Sequence, residues 1–172
     1  MTAAIRRATA ADVAAMAEVW ELANERRRAE AGLPTGHPGT GTATTRDLIT
    51  ARMGVPGSLG VVASVDGKVV GMAMGVPALE NDGAGPAAVP GLLHVSFVAV
   101  ESRSWGRRRA VRMVTMLLDE VRQAGYTDAQ LWTQVSNARA IALFSRLGFR
   151  RTGRTKVDDH GERITHWTRS LI

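Results

Sequence analysis

Leu92-Leu93-His94-Val95-Ser96-Phe97-Val98-Ala99-Val100, followed four residues later by Trp105-Gly106-Arg107-Arg108-Arg109-Ala110, is the stretch on which the fold turns. Its first part is a nearly continuous apolar run, the pattern of a buried strand, interrupted by His94 and Ser96. Ala110, Val114, Leu117, Leu118 and Val121 then recur at helical spacing, which predicts a helix from Arg107 to Gln123 with Gly125 just past its end. Gln130 to Val135 reads as a second strand. A helix joining two such strands is a crossover, so the strands are parallel neighbours or near neighbours. A helix that opens directly after a buried strand also offers unpaired backbone amides and the positive end of its dipole, and both favour a phosphate. Arginine side chains at the turn would add a salt-sensitive attraction. Neither the Gly-x-x-x-x-Gly-Lys-Ser/Thr loop nor the Gly-x-Gly-x-x-Gly dinucleotide pattern is present.

Upstream, Ile5 fits a short first strand, and Thr9 with Asp12 reads as the capped start of a helix. Val13, Met16, Ala17, Trp20 and Ala23 form its apolar face. Residues 30–60 break into a Gly/Pro-rich segment with a short helix near Thr45 to Met53. His37 lies in that segment and is read as a solvated side chain. Gly60 to Val65 and Lys68 to Val76 are strands joined by Asp66-Gly67, a strong hairpin signal. Glu80 to Gly91 is expected to be a loop. Downstream, Asn137 caps a helix running through Ile141 and Leu147 to Gly148, and Phe149 to Thr155 with Ile164 to Ser170 make a closing hairpin.

The chain has 172 residues, 45% of them hydrophobic, which suits one globular domain spanning 1–172. It contains no cysteine, which excludes disulfide scaffolds, thiolate metal sites and cysteine nucleophiles, and no metal site is expected. No run approaches the roughly 20 apolar residues of a membrane span, and the N-terminus does not read as a leader, so a cytoplasmic protein without membrane attachment is expected. The net charge of +6 comes almost wholly from arginine, with Lys68 and Lys156 the only lysines. Aromatic residues make up 5% and do not interleave the basic runs, so a stacking surface for nucleic acid is not expected. The runs Arg26–Arg28 and Arg150–Arg154 read as solvated faces.

Because strand side chains alternate, His94, Ser96, Val98 and Val100 are expected on one face. On the pattern alone His94 is a core histidine satisfied by a neighbouring backbone or hydroxyl group.

In order and spacing these pieces resemble the GNAT superfamily of N-acetyltransferases. The resemblance rests on the Asp-Gly hairpin with Val69-Val70-Gly71, the strand ending Phe97-Val98-Ala99-Val100, the turn and helix after it, Asn137, and Ala140-Ile141-Ala142-Leu143-Phe144-Ser145-Arg146-Leu147-Gly148-Phe149. It implies an α/β (α+β) fold: a mixed sheet of six to seven strands, flanking helices, and a splayed parallel pair that admits acetyl-CoA. By the same resemblance, the Val98–Val100 backbone, Ala99 included, would pair with the pantetheine arm. Amides of Gly106, Arg107, Arg108, Arg109, Ala110 and Val111 would hold the pyrophosphate, and Asn137 and Phe144 would border the cofactor from the opposite side. The family turn, Arg/Gln-x-x-Gly-x-Gly/Ala, is matched here only in part, with Trp105 and Arg108 at two signature positions. Phe144 stands where a tyrosine is frequent, so protonation of the leaving thiolate would pass to water, to Ser145 if it points inward, or be dispensed with. His94 falls where some members carry a catalytic carboxylate base, which makes it the candidate catalytic base, with Ser96 beside it as a polar neighbour.

Three functions remain open at this point: acetyl transfer from acetyl-CoA to a small primary amine, acetylation of a protein or peptide clamped by the 30–60 segment and the loop after Glu80, and a non-catalytic acyl-CoA-binding module. A homodimer is one option for the assembly.

Overall fold

A computed structural model describes residues 2–35, 43–106 and 108–172 of the chain; His37 and Arg107 lie outside them. In chain order the elements are β1 (Ala4–Arg7), α1 (Val13–Glu30), α2 (Thr45–Met53), β2 (Leu59–Val65), β3 (Lys68–Leu79), β4 (Ala88–Val100), α3 (Arg109–Gln123), β5 (Asp128–Gln134), α4 (Ala138–Arg146), β6 (Arg150–Val157) and β7 (Arg163–Ser170). The seven strands form one sheet in the order β1-β2-β3-β4-β5-β7-β6. All neighbours are antiparallel except β4 and β5. The crossover through α3 therefore joins adjacent parallel strands, as expected of a strand-helix-strand unit.

Local chemistry accounts for the element boundaries. Asp66 and Gly67 both take positive φ, 50° and 79°, the twist that a two-residue hairpin needs. Thr44 and Asp47 cap α2 reciprocally, and the Asn137 side chain accepts the Ala140 N–H at 3.1 Å to cap α4. Asp12 receives both terminal nitrogens of Arg6 at 2.8 Å and the Thr9 N–H at 2.8 Å, which locks the end of β1 to the start of α1. That bidentate partner holds the Asp12 carboxyl down to about 2.

Two apolar layers sandwich the sheet. On one side α3 and α4 cover Val61, Ala73, Leu93, Val95, Val100, Leu131 and Trp167. On the other, α1 and α2 cover Val62, Met72, Met74, Phe97 and Ala99 through Met16, Ala17, Val19 and Ile49. Among the described residues, no helix covers the second side of β5, β7 and β6.

Three expectations are revised. β3 runs on to Leu79 and β4 begins at Ala88, so the connection between them is shorter than the Gly/Pro content of Glu80 to Gly91 suggested. Helix α3 opens at Arg109, because Arg108 adopts left-handed φ 54° and ends the turn. Of the Arg26–Arg28 run only Arg26 is solvated: Arg27 and Arg28, with 14% and 11% of their side chains exposed, both bond Glu162 and tie the end of α1 to the β6–β7 hairpin.

Candidate active site

The parallel pairing of β4 with β5 lasts only three residues: Leu92 with Asp128, Leu93 with Ala129, His94 with Gln130. Beyond His94 the strands diverge, β4 continuing to Val100 and β5 to Gln134. The backbone of β4 beyond that vertex is oriented toward the gap. The Glu101 N–H bonds the Val70 carbonyl at 2.8 Å, which makes Gly71 and Val100 a non-hydrogen-bonded pair in the β3–β4 ladder. The N–H and C=O of Val100, and by the two-residue repeat those of Val98, consequently point away from β3. The Val100 carbonyl accepts the Trp105 indole N–H at 2.9 Å. The Arg139 guanidinium, on the first turn of α4, lies 3.7 Å from the centre of the Trp105 ring and is paired with Glu30.

At the wide end of the gap stands the N-terminus of α3. Its first intrahelical bond is from Arg112 N–H to Arg108 carbonyl at 3.0 Å, which leaves the amides of Arg109, Ala110 and Val111 without helical partners. Gly106, with φ 76°, precedes them. The Arg109 side chain does not face out with them: it is buried and bonds the Ser104 carbonyl at 3.2 Å. What this turn offers a phosphate is backbone amides and dipole, with the exposed Arg108 side chain beside them.

Asn137 stands at the head of α4 with its Oδ1 committed to the cap, and among the described residues its Nδ2 has no partner. Phe144 is buried and meets Phe149 edge-on at 5.6 Å, while Ser145 is exposed. The inward-pointing hydroxyl that could replace a tyrosine is therefore not supplied by Ser145.

The common face expected for His94, Ser96, Val98 and Val100 does not form, and the cause is a β-bulge. Met74 pairs with Phe97 but Gly75 pairs with Val95, so Ser96 is an extra residue on β4. Leu93 and Val95 before it, and Val98 and Val100 after it, all belong to the α3 side. Phe97 and Ala99 belong to the α1 side, and so does His94, the alternate of Leu93 and Val95. Ser96 itself donates to the Met74 carbonyl at 3.4 Å.

His94 is partly buried at the vertex. Burial, and after it the charges of Arg52, Lys156 and His166, push its imidazole down to about 4, against a small opposing effect of Asp82. It is neutral at physiological pH. The residues on its face that the sequence did not single out form a polar floor. Gln130 Oε1 meets His166 Nε2 at 3.0 Å, Thr152 Oγ1 meets His166 Nδ1 at 2.9 Å, and Trp132 leans on the His166 ring at 4.9 Å. Period-two alternation in β5 could have flagged Gln130 and Trp132; their neighbours on β6 and β7 become visible only with the sheet order. Beside this floor lies a cleft of about 370 Å³ lined by Leu79, Asn81, Asp82, Val89, Leu92, Gln130 and Arg154.

No group of metal-binding side chains occurs among the described residues, and no helix among them is long and apolar enough to cross a membrane.

Residues 10–149 match the Acetyltransferase (GNAT) family. Over 129 residues, 73% of this chain, the sequence is 31% identical to N-acetyltransferase family 8 member 2 of Rattus norvegicus; the chain spans about half, 54%, of that protein's length. Among solved structures, the ribosomal-protein-alanine N-acetyltransferase of Brucella melitensis superposes with a TM-score of 0.74 at 22% identity, covering 97% of this chain and 99% of that one. The yncA protein of Salmonella typhimurium, solved with its cofactor acetyl-CoA, superposes with a TM-score of 0.72 at 22% identity, covering 100% of this chain and 95% of that one. A seven-stranded sheet opened between its one parallel pair, with a match across 10–149, makes the chain a member of the GNAT acetyltransferase family.

Proposed function

We propose that the protein acetylates the primary amine of a small molecule, with acetyl-CoA as donor. The observation that carries the small-acceptor reading is how the cleft beside the Gln130 floor is bridged. The Glu80–Gly83 turn folds back through a Glu80 N–H to Ala87 carbonyl bond of 2.9 Å. Asp82 on that turn is ion-paired with Arg154 of β6. The segment thereby bridges a cleft of small-molecule volume, which favours a small acceptor over an extended peptide.

The donor fits the gap. Val98 and Val100 direct backbone groups into it as an incomplete strand edge, Ala99 between them anchors β4 on the α1 side, and Asn137 and Phe144 border the far wall. Gly106, Arg108, Arg109, Ala110 and Val111 belong to the turn whose amides would meet the pyrophosphate. Acetyl-CoA supplies an acetyl thioester, electrophilic at its carbonyl carbon and able to release a thiolate.

On the acceptor side the task is to present a free amine, since an alkylammonium near pKa 10 is almost wholly protonated at neutral pH. Burial chiefly keeps His94 neutral, and the cations that add to it act on a bound ammonium in the same direction, lowering its proton affinity. As the free amine bonds to the thioester carbon its nitrogen becomes acidic, and His94 takes that proton, directly or through a water near Ser96, while the thiolate departs. With Phe144 buried and Ser145 outside, the departing thiolate leaves unprotonated or takes its proton from water.

Thiol release from acetyl-CoA, followed over a panel of small amines and peptides with product mass analysis, tests the reading. Turnover with small amines supports it. Modification of peptides alone would overturn it, as would cofactor binding without turnover.

A further inference from the structure

Two cations near His94 rest on aromatic rings with no carboxylate for partner. The Arg52 guanidinium, in the last turn of α2, lies 4.7 Å from the centre of the Phe97 ring, and Phe97 is the next side chain after His94 on the α1 face of β4. Lys156 Nζ lies 4.4 Å from the centre of the Trp132 ring. Arg154, 5.3 Å from the same ring, is already paired with Asp82. Among the described residues Arg52 has neither an ion pair nor a hydrogen-bond acceptor, and the segment 36–42 contains no Asp or Glu. Burial lowers the proton affinity of Arg52, the mark of a cation that has lost water without gaining a counter-ion.

Such a cation is costly unless a ligand completes it. A guanidinium offers two parallel N–H donors to one carboxylate, and a partly desolvated one does so more strongly than an exposed lysine. The surrounding charge also selects: polyamines and other polycations would meet Arg52, Lys156 and Arg154 against the single carboxylate of Asp82. We propose that Arg52 anchors a carboxylate on the acceptor, so that the acceptor class is amines carrying a carboxylate close to the nitrogen, α-amino acids foremost. The anchor holds the anion above Phe97 and turns the amine toward His94. This rests on the small-amine reading above and narrows it.

The test pairs each of several amino acids with its own carboxamide, which keeps the amine and side chain but removes the anion. Thiol release is measured for the natural protein, Arg52→Gln and Arg52→Lys, and amino-acid binding is titrated calorimetrically on the same three proteins. The natural protein is expected to prefer acid over amide by about tenfold or more in kcat/KM. In Arg52→Gln the ratio collapses toward one and amino-acid binding weakens, while KM for acetyl-CoA and the melting temperature hold. Arg52→Lys retains part of the preference. Equal use of acid and amide by the natural protein, or a preference that survives in Arg52→Gln, overturns the anchor and leaves the small-amine reading standing. Turnover of peptides with neither member of any pair overturns both.

Discussion

Trp105 and Val100 are joined across the mouth of the cofactor gap by an indole N–H donated to a backbone carbonyl at 2.9 Å. On the proposed binding mode the carbonyl is one of the groups that an incoming amide would use, so the indole and the cofactor would compete for it. Arg139, stacked on the indole and paired with Glu30, steadies the competitor. Trp105→Phe keeps the ring and removes the donor. It is expected to tighten acetyl-CoA binding by about threefold to tenfold, the worth of one net hydrogen bond, as read by calorimetry. Weaker binding would show that the indole helps to hold the cofactor.

Arg108 occupies a left-handed conformation in a turn where the family pattern has glycine. A side chain there costs about 1 kcal/mol relative to glycine. Arg108→Gly should therefore raise the melting temperature by roughly 2–4 °C for a chain of this size. A lowered melting temperature would mean that the Arg108 side chain makes stabilising contacts worth more than the strain.

His94 should shape the response to acid in two ways. Its folded-state value of about 4 lies below the ordinary 6.5, so the unfolded chain takes up the proton first and stability falls as pH drops from 6.5 through 4. His94→Gln should flatten that part of the stability curve. In the natural protein any acid limb of kcat due to His94 is expected near pH 4, well below 6.5. His94→Ala should lower kcat roughly 100-fold with the acetyl-CoA affinity unchanged. An unaltered kcat and pH profile in that variant would remove the base assignment.

Glu162 is the shared partner of Arg27 and Arg28, with 9% of its side chain exposed. Removing its charge leaves two guanidinium groups largely out of water and unpaired. Glu162→Gln is expected to destabilise the protein by about 3–5 kcal/mol, measured by urea unfolding. A loss below 1 kcal/mol would show that water reaches the arginines freely.

What could be read from the chain alone divides along a physical line. Asp66-Gly67, Asn137 and Gly125 act through their own backbone geometry, and the hairpin, the α4 cap and the end of α3 stand where those residues put them. The crossover rule did the same for the parallel pair. Features made by partners far apart in sequence were not legible: Glu162 lies 135 residues from Arg27, and the order β5-β7-β6 is needed before Gln130, Trp132, His166 and Lys156 come together. Pro77 and the Gly/Pro-rich start of β4 concealed strand, because pairing with a neighbour outweighed propensity there. The Ser96 bulge leaves no mark in composition, since Val-Ser-Phe alternates as well as any regular strand.

That bulge also bears on how the protein can change over time. Up to Ser96 the strand carries Leu92 and His94 on the α1 side; after it, the same side carries Phe97 and Ala99 in the core, and Val98 and Val100 belong to the other layer. Deleting one residue there would rotate every later side chain by half a turn and exchange what the strand presents to the two layers. With the extra residue kept, substitutions at Leu92 would retune the choice of acceptor while the strand edge proposed to meet the cofactor is inherited unaltered, so the two halves of the proposed site are free to diverge at different rates.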